Sequence, residues 1–454
     1  MAATYNKYLI LGAGRSGIGA AKFLSQQGIA AVLFDSMPYE SLTKSGFGIE
    51  EAARLPGVEC HFGQNPDNSA IESCSCVIAS PGVPPDAPPL EHARACGIPV
   101  LSEIEFASGY YKGKLVAVTG TNGKTTTTSL VAHLLSRAGI DAHAAGNIGD
   151  AFVNYAGVSS PRTVLALEIS SFQLDQTEGF HPNCAVLTNI TPDHLDRHGT
   201  MENYTAAKEK VFQLMGGEDL LVANLDDPIA AASAAKAACP VSWFSLERKE
   251  GAHAWLEGGA IWAMHSGKAV QLAATAELKI IGSHNAANAM AASLAALFMG
   301  ASLETVQQAL KDFEPVEHRL EFVRNVRGVS YVNDSKGTNP DATAVALRAV
   351  AAPAVVLLGG YDKHSSFDSL APLLREKARC VIVLGQTKEK IAEMLDRNSI
   401  LYVDASSFDE AVKLASEAAE PGDTVLLSPA CASWDMFGNY EERGRLFKNL
   451  VHNL

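Results

Sequence analysis

No apolar run in this 454-residue chain is long enough to cross a bilayer. A spanning helix needs about 20 such residues; the longest Ala-rich stretch, Ala286 to Gly300, is shorter, carries Asn288 and Ser293, and reads as a buried helix. The opening MAATYNKYLILGAG enters an apolar strand with no basic segment, long apolar segment or small-residue cleavage site before it, so a secreted chain is not expected. Positive charge is in the minority: 36 Lys and Arg stand against 50 Asp and Glu, a formal net charge of −14 at pH 7. That argues against a general binder of nucleic acid or anionic membrane. It leaves anionic small molecules open, because beyond a Debye length of about 8 Å the summed charge is screened and local cations and backbone amides decide. Paired cysteines are missing as well. Cys60, Cys74, Cys76, Cys96, Cys184, Cys239, Cys380 and Cys431 are scattered, and Cys74-Ser-Cys76 has no second pair at zinc-finger spacing. Reduced thiols in a cytoplasmic protein are expected, not disulfides or a cysteine-held metal. Charged residues are scarce at 19% while apolar ones reach 47%, which rules out a disordered chain or a coiled-coil rod.

What is present is a repeating alternation. At roughly 150 residues per domain the length suggests about three domains. Short apolar runs (KYLILGAG, AVLFD, CVIASPG, LVAVTG, TVLALEISS, CAVLTNI, DLLVANLDD, AVVLLGG, CVIVLG, TVLLSPA) recur with helical patterns between them. Strands apolar on both faces and separated by helices predict parallel α/β sheets; no fixed-period repeat points to a solenoid or propeller. The strand-turn-helix unit starts afresh at Lys7, Leu115 and Tyr331. The expected architecture is three α/β domains: a Rossmann-like dinucleotide-type fold over 1–103, a P-loop-type ATPase fold over 104–315, and a Rossmann-like domain over 316–454.

The strongest motif is VAVTGTNGKTTTT. A strand running into a glycine turn and then a helix is a phosphate cradle: Gly120 and Gly123 let backbone N–H groups turn inward, Lys124 reaches the β- and γ-phosphates, and the Thr125 hydroxyl is a Mg²⁺ ligand. The loop is shorter than the general rule, which would place Gly where Val118 stands. GAGRSG supplies Gly12, Gly14 and Gly17 after the first strand, with Asp35 ending the second. It predicts a nucleotide diphosphate at a helix N-terminus without saying whether NAD or another nucleotide owns it. Glu168 at a strand end can hold Mg²⁺, and His194 lies beside Asp193 and Asp196 where parallel sheets keep ligands. Lys208, judged on its chemistry alone, is a helical lysine on a solvated face. His284, Asn285 and Asn288 open an Ala-rich helix, as caps or as readers of an adenine edge. The last third offers Arg319, Asp334, Ser335, Lys336, Thr338, Lys363, Ser433 and Tyr440, each at or just after a strand end or turn.

In this order and spacing, TGTNGKTTT, the strand ending at Glu168, DHLDRH, GSHNAANAMAA, EHRLE and NDSKGTNP resemble the Mur ligase family of ATP-dependent peptidoglycan-precursor synthetases over nearly the whole chain. GAGRSG, EISSFQL and SPACASWDMF resemble its D-glutamate-adding branch; the DNPR-type motif of the diamino-acid-adding sibling is absent. The resemblance implies that Gly14, Ser16, Asp35, Ser36 and Gly82 hold the uridine diphosphate of UDP-N-acetylmuramoyl-L-alanine, with Asn147 and His194 on its muramoyl-alanine side. It implies ATP on Gly120, Thr121, Asn122, Gly123, Lys124, Thr125 and Thr126, its adenosine held by Asn288, Arg319 and Asp334. Two Mg²⁺ ions are implied, one near Thr125 and Glu168, the other near His194 and a CO₂-derived carbamate on Lys208. Lys124, Glu168, His194 and Lys208 become the catalytic set, and Lys336, Thr338, Lys363, Ser433 and Tyr440 the holders of D-glutamate. Tyr440 stands where the family commonly has Phe, and Tyr361 where it often has an acid. The family implies a cytoplasmic monomer with no nucleic-acid or membrane partner. Two rivals account for less: an NAD-dependent oxidoreductase leaves the Gly-Lys-Thr loop without a purpose, and a folylpolyglutamate synthetase-like ligase does not explain the N-terminal domain.

Overall fold

The computed structural model describes residues 6–43, 48–362 and 365–454. In the N-terminal third, β1 (Lys7–Leu11), β2 (Ala30–Asp35), β3 (Val58–Phe62), β4 (Cys76–Ala79) and β5 (Val100–Ser102) pair in the order β3-β2-β1-β4-β5, all parallel. Leu9, Ile10 and Val77 are fully buried, the condition that a strand covered on both faces must meet. Strand order reverses between β1 and β4, which opens a crevice at their C-terminal ends. GAGRSG follows β1 and Ser80-Pro81-Gly82 follows β4, so both loops border it.

The second sheet comprises β6 (Lys114–Thr119), β7 (Ala142–Gly146), β8 (Val164–Glu168), β9 (Cys184–Leu187), β10 (Leu220–Asn224), β11 (Val241–Ser245), β12 (Ala252–Glu257), β13 (Ala260–His265) and β14 (Lys268–Ala274), in the order β14-β13-β12-β11-β10-β9-β6-β8-β7. β6 sits between β8 and β9, parallel to both. The phosphate loop therefore leaves the sheet at its own switch point. A wholly parallel sheet was expected, but β12 and β13 are antiparallel. The reason is the two-residue turn Gly258-Gly259, at φ 60° and 75°, the left-handed pair that a tight hairpin selects.

The third sheet contains β15 (Glu321–Val326), β16 (Val329–Asn333), β17 (Ala354–Leu358), β18 (Ala378–Val383), β19 (Tyr402–Asp404) and β20 (Thr424–Leu427), in the order β15-β16-β20-β17-β18-β19. It too begins with an antiparallel pair, β15 and β16, joined by Arg327 and Gly328 at positive φ. The remaining strands are parallel.

Two compact units result. The first holds Met1–Ile190, Thr200–Leu272 and Asn288–Leu310; the second holds Thr191–Gly199, Ala273–Ala287 and Lys311–Leu454. In the first, one apolar cluster joins both sheets, with Phe106 packing edge-on to Tyr8 and Phe23 at 5.5 and 5.7 Å. No helix among the described residues is long and apolar enough to cross a membrane.

Candidate active site

The crevice of the first sheet is a cavity of about 750 Å³. Its glycines divide into two kinds. Gly12 turns the chain at φ 92°, where a Cβ would meet Ser80 Cβ at 2.9 Å, and a Cβ on Gly17 would lie 1.9 Å from the Gly12 carbonyl oxygen; both serve the fold. Gly14 and Gly82 have open space above Cα and line the cavity, as a surface that a ligand approaches closely must. Ser16, Asp35, Ser36 and Asn147 line it too. The Asp35 carboxylate also clamps the glycine turn, its two oxygens accepting the Ala13 and Met37 N–H groups at 2.7 and 2.8 Å. Gln173, which sequence reasoning saw only as part of SSFQL, is a further wall residue; its side-chain oxygen accepts the N–H of Ser170 at 3.0 Å, in a capping box.

One wall loop is held at three points. The Arg15 guanidinium donates to the Gly149 carbonyl at 2.9 Å, the Asn147 amide donates to Glu168 Oε1 at 2.9 Å, and the Val153 N–H donates to Glu103 Oε1 at 2.7 Å. Glu103 is buried, and desolvation pushes its carboxyl up to about 7. Since its ordinary value is 4.5, the unfolded chain gives up this proton first as pH rises. Glu103 therefore contributes a stability decline between about pH 4.5 and 7, of roughly 3 kcal/mol in full, that levels off above. Glu103→Gln, which keeps the acceptor without the charge, is expected to remove that decline. The check is the difference in unfolding midpoint between variant and wild type at each end of this window; a difference that does not change with pH contradicts it.

The phosphate loop is gripped from outside. Gly120 has φ 141° and a Cβ there would lie 2.0 Å from Thr188 Oγ1; Gly123 has φ 84° and a Cβ there would lie 2.4 Å from Asn288 Oδ1. Neither position admits a side chain. Thr121 N–H donates to the Asn189 carbonyl at 2.8 Å, Asn122 N–H to Asn189 Oδ1 at 2.9 Å, and the Thr188 hydroxyl to the Asn122 carbonyl at 2.7 Å. Thr188 and Asn189, just past β9, thus shape the loop, although nothing in their sequence context marks them. Helix Lys124–Arg137 follows with Thr125, Thr126 and Thr127 buried, its positive end at the loop. The Lys124 ammonium folds over the loop, donating to the Gly120 and Thr121 carbonyls at 2.9 and 2.6 Å. Asn288 accepts from the Thr127 hydroxyl at 3.2 Å.

Lys208 overturns the reading from its chemistry alone. It is not solvated: 1% of it is exposed, its ammonium donates to the Gly120 carbonyl at 2.7 Å and stands 4.4 Å from the Tyr204 ring centroid. Helix Met201–Glu209 buries Tyr204, Ala207 and Lys208, one face at i, i+3, i+4 spacing. Lys124 and Lys208 consequently share one carbonyl oxygen. Glu168, at the end of β8, is buried, and with the Thr125 hydroxyl it offers the hard oxygen donors that Mg²⁺ prefers.

In the second unit, His194 caps helix Leu195–His198 at φ 53°, with Nε2 3.6 Å from Asp193 Oδ2; Asn339 donates to that carboxylate at 3.2 Å. Asp334 is buried; its carboxyl is raised to about 6 by desolvation, against the opposing Ser428 hydrogen bond and Arg319 charge. Ser428 donates to Asp334 Oδ2 at 2.7 Å and Leu320 N–H to Oδ1 at 3.3 Å. Burial, then Arg319, pushes the His284 imidazole down to about 4.

Ser335, Cys431 and Ala432, chain neighbours of Lys336 and Ser433, are tied together by a residue that the sequence did not mark. Arg443 is the largest fully buried side chain among the described residues. Its guanidinium donates to Ser335 Oγ at 3.0 Å, to the Ser335 carbonyl at 2.8 Å, and to the carbonyls of Cys431 and Ala432 at 3.2 and 3.3 Å. Ser335 in turn donates to the Tyr440 carbonyl at 2.8 Å, and the Lys336 ammonium lies 5.0 Å from the Tyr440 ring centroid. Thr338 N–H donates to the Lys336 carbonyl at 2.9 Å. Lys363 lies outside the described residues. The missed signal was an i, i+4, i+8 stripe: Arg443 extends the buried line of Phe447 and Val451. Arg443→Met is expected to lower stability by about 3 kcal/mol or more, since several buried acceptors lose their donor. Arg443→Lys should cost less, keeping the charge without the fork. Equal unfolding midpoints for wild type and Arg443→Met would refute the bracing role.

Family models match the chain in three parts: Mur ligase MurD-like, N-terminal domain, over residues 6–102; Mur ligase middle domain, over 118–296; and Mur ligase, glutamate ligase domain, over 318–431. The UDP-N-acetylmuramoylalanine--D-glutamate ligase of Pelotomaculum thermopropionicum is 44% identical over 99% of this chain and 98% of its own length. Its namesake from Acidobacterium capsulatum is 42% identical over 98% and 96%. Among solved structures, the UDP-N-acetylmuramate-alanine ligase MurC of Thermotoga maritima has a TM-score of 0.63 at 20% identity, covering 99% of this chain and 100% of that one. A MurF ligase from the same organism, in complex with ADP, has a TM-score of 0.61 at 18% identity, covering 93% and 95%; at such identity both speak for the fold alone. By the family models and the full-length identity of its relatives, this chain belongs to the Mur ligase family.

Proposed function

We propose that the chain joins D-glutamate to the L-alanyl carboxylate of UDP-N-acetylmuramoyl-L-alanine, converting ATP to ADP and phosphate, in cytoplasmic synthesis of peptidoglycan precursors. The observation that carries this reading is 44% identity, along both full lengths, to a relative named for that reaction. The proposed domains are 1–103 for the uridine diphosphate, 104–315 for ATP and 316–454 for D-glutamate.

The substrate carboxylate attacks the γ-phosphorus of ATP, ADP leaves, and an acyl phosphate results. The D-glutamate amine then attacks the acyl carbon, loses a proton, and phosphate departs as the amide forms. Lys124, moving from the loop carbonyls to the β- and γ-phosphate oxygens, balances charge as the phosphoryl group transfers, while Gly120 and Gly123 let the loop close against Thr188 and Asn288 and so keep its shape. Thr125 and Glu168 are the residues to hold one Mg²⁺, and His194 with a carbamylated Lys208 a second; when bound, the ions neutralise phosphate oxygens. Two ammonium groups on one carbonyl oxygen repel, and desolvating an ammonium is costly. Carbamate formation replaces the Lys208 cation with an anion that the Lys124 ammonium attracts, which removes the repulsion and supports that assignment. Gly14, Ser16, Asp35, Ser36, Gly82 and Asn147 orient the nucleotide-sugar. Asn288, Arg319 and Asp334 are assigned to the adenosine, and Lys336, Thr338, Lys363, Ser433 and Tyr440 to the glutamate carboxylates.

Substrate labelled with ¹⁸O in its alanyl carboxylate tests the route. One labelled oxygen is expected in the released phosphate, alongside a product heavier by one glutamyl residue. Unlabelled phosphate would contradict an acyl phosphate, and a missing product would contradict the ligase.

A further inference from the structure

Beside the first sheet, two helices end against one another at a cluster that the ligase chemistry does not use. Helix Asn68–Glu72 closes on Glu72, and helix Pro88–Ala95 carries His92 in its last turn with Cys96 as its C-cap. His92 Nε2 lies 2.9 Å from Glu72 Oε1 and 3.6 Å from Cys96 Sγ, and the three candidate ligand atoms all fall within 4.8 Å of one another. Tetrahedral Zn²⁺, with bonds of about 2.0–2.1 Å to nitrogen, 2.3 Å to sulfur and 2.0–2.2 Å to carboxylate oxygen, requires N···S and N···O separations of roughly 3.6 and 3.4 Å. The N···S separation already matches, and the carboxylate oxygen must retreat from the imidazole by about 0.5 Å. His92 and Cys96 share a helix face at i, i+4 spacing. Both helices direct their C-terminal ends to the cluster, and helix C-termini favour a cation. A second cluster among the described residues, Glu317, His318 and Glu321, already has a cation: the Lys448 ammonium lies 2.7 Å from a carboxylate oxygen of each glutamate. Among the described residues, no lysine or arginine is bonded to the first cluster in this way.

We propose that Glu72, His92 and Cys96 bind one Zn²⁺ ion, with water as the fourth ligand. Binding displaces the thiol proton of Cys96, and the thiolate and the Glu72 carboxylate together balance the two positive charges. The ion ties the end of helix Pro88–Ala95 to helix Asn68–Glu72. The other end of that helix, at Pro88 and Pro89, lines the 750 Å³ cavity, so the metal braces a cavity wall without entering it. A search for paired cysteines misses this site, because one imidazole, one carboxylate and one thiol from two helices replace the second pair.

Co²⁺ provides the test, because a thiolate ligand gives it a near-ultraviolet charge-transfer band that oxygen and nitrogen ligands do not. Of the eight cysteines, Cys96 is the exposed one, so the band reports on it. Reduced, metal-stripped full-length protein is titrated in excess Mg²⁺, which occupies hard-oxygen sites. The expected result is a band that saturates at one equivalent of Co²⁺, disappears on adding Zn²⁺, and is absent from Cys96→Ser. His92→Ala and Glu72→Gln should each weaken Zn²⁺ competition by about tenfold or more. Zn²⁺ should raise the melting temperature of the wild type and not of Cys96→Ser, with circular dichroism of the metal-free proteins unchanged. A wild type without the band, saturation only at large excess, or a band that survives Cys96→Ser would overturn the site.

Discussion

Lys124→Ala is expected to abolish ADP formation while leaving the fold intact. In the structure the Lys124 ammonium is within reach of the phosphate loop from inside, donating to the carbonyls of Gly120 and Thr121, while the shape of the loop is enforced from outside by Thr188 and Asn189. Removing the ammonium therefore deletes the mobile cation of the cradle without removing what builds the cradle. A preorganised cation or donor facing a transferring phosphoryl group is worth about 10³-fold or more in rate, or roughly 4 kcal/mol of transition-state stabilisation. The stability lost with two partly exposed hydrogen bonds is small by comparison, about 1 kcal/mol each. The measurement is steady-state ADP release beside circular dichroism and melting temperature. Near-wild-type turnover would refute the phosphate-cradle assignment; a collapsed melting temperature would instead place Lys124 in the scaffold.

The second large effect concerns Lys208. Substitution by Met keeps most of the buried stem and removes the amine, so folding should persist while turnover falls by about 10³-fold. The more discriminating readout is the modification. Mass analysis under native conditions is expected to show the wild type heavier by one CO₂, with no such increment in Lys208→Met. Depleting bicarbonate should lower wild-type turnover and leave the residual activity of the variant unchanged. Fully active wild type with an unmodified Lys208 would overturn the carbamate. Its burial beside Gly120 and Tyr204 would then need another account, since an enclosed ammonium with a second ammonium on the same carbonyl oxygen is costly.

Much of the fold was legible because strands buried on both faces must be apolar throughout: the runs at β1, β4, β6, β8, β9, β17 and β20 announce themselves. The antiparallel pairs were not seen. Of their strands β15 alternates burial and exposure and the others carry no such regular pattern; their signal lay in two-residue turns, Gly258-Gly259 and Arg327-Gly328. Glycine motifs were readable for a related reason. Gly12, Gly17, Gly120 and Gly123 have no room for a Cβ, and a steric requirement leaves a mark at a fixed place in the chain. Partners that act across space leave none. Thr188 and Asn189 grip a loop about 67 residues away, and Arg443 braces Ser335 from 108 residues away. Lys208 shows the same limit, since its helix face can be judged buried only once the sheet beneath it is known.

The most direct test of the proposed reaction is ADP release by purified protein with ATP, Mg²⁺ and UDP-N-acetylmuramoyl-L-alanine, with bicarbonate present, comparing D-glutamate, L-glutamate and no amino acid. Release is expected to require both the nucleotide-sugar and D-glutamate. Release that is indifferent to either, or no release at all, would contradict the proposed reaction.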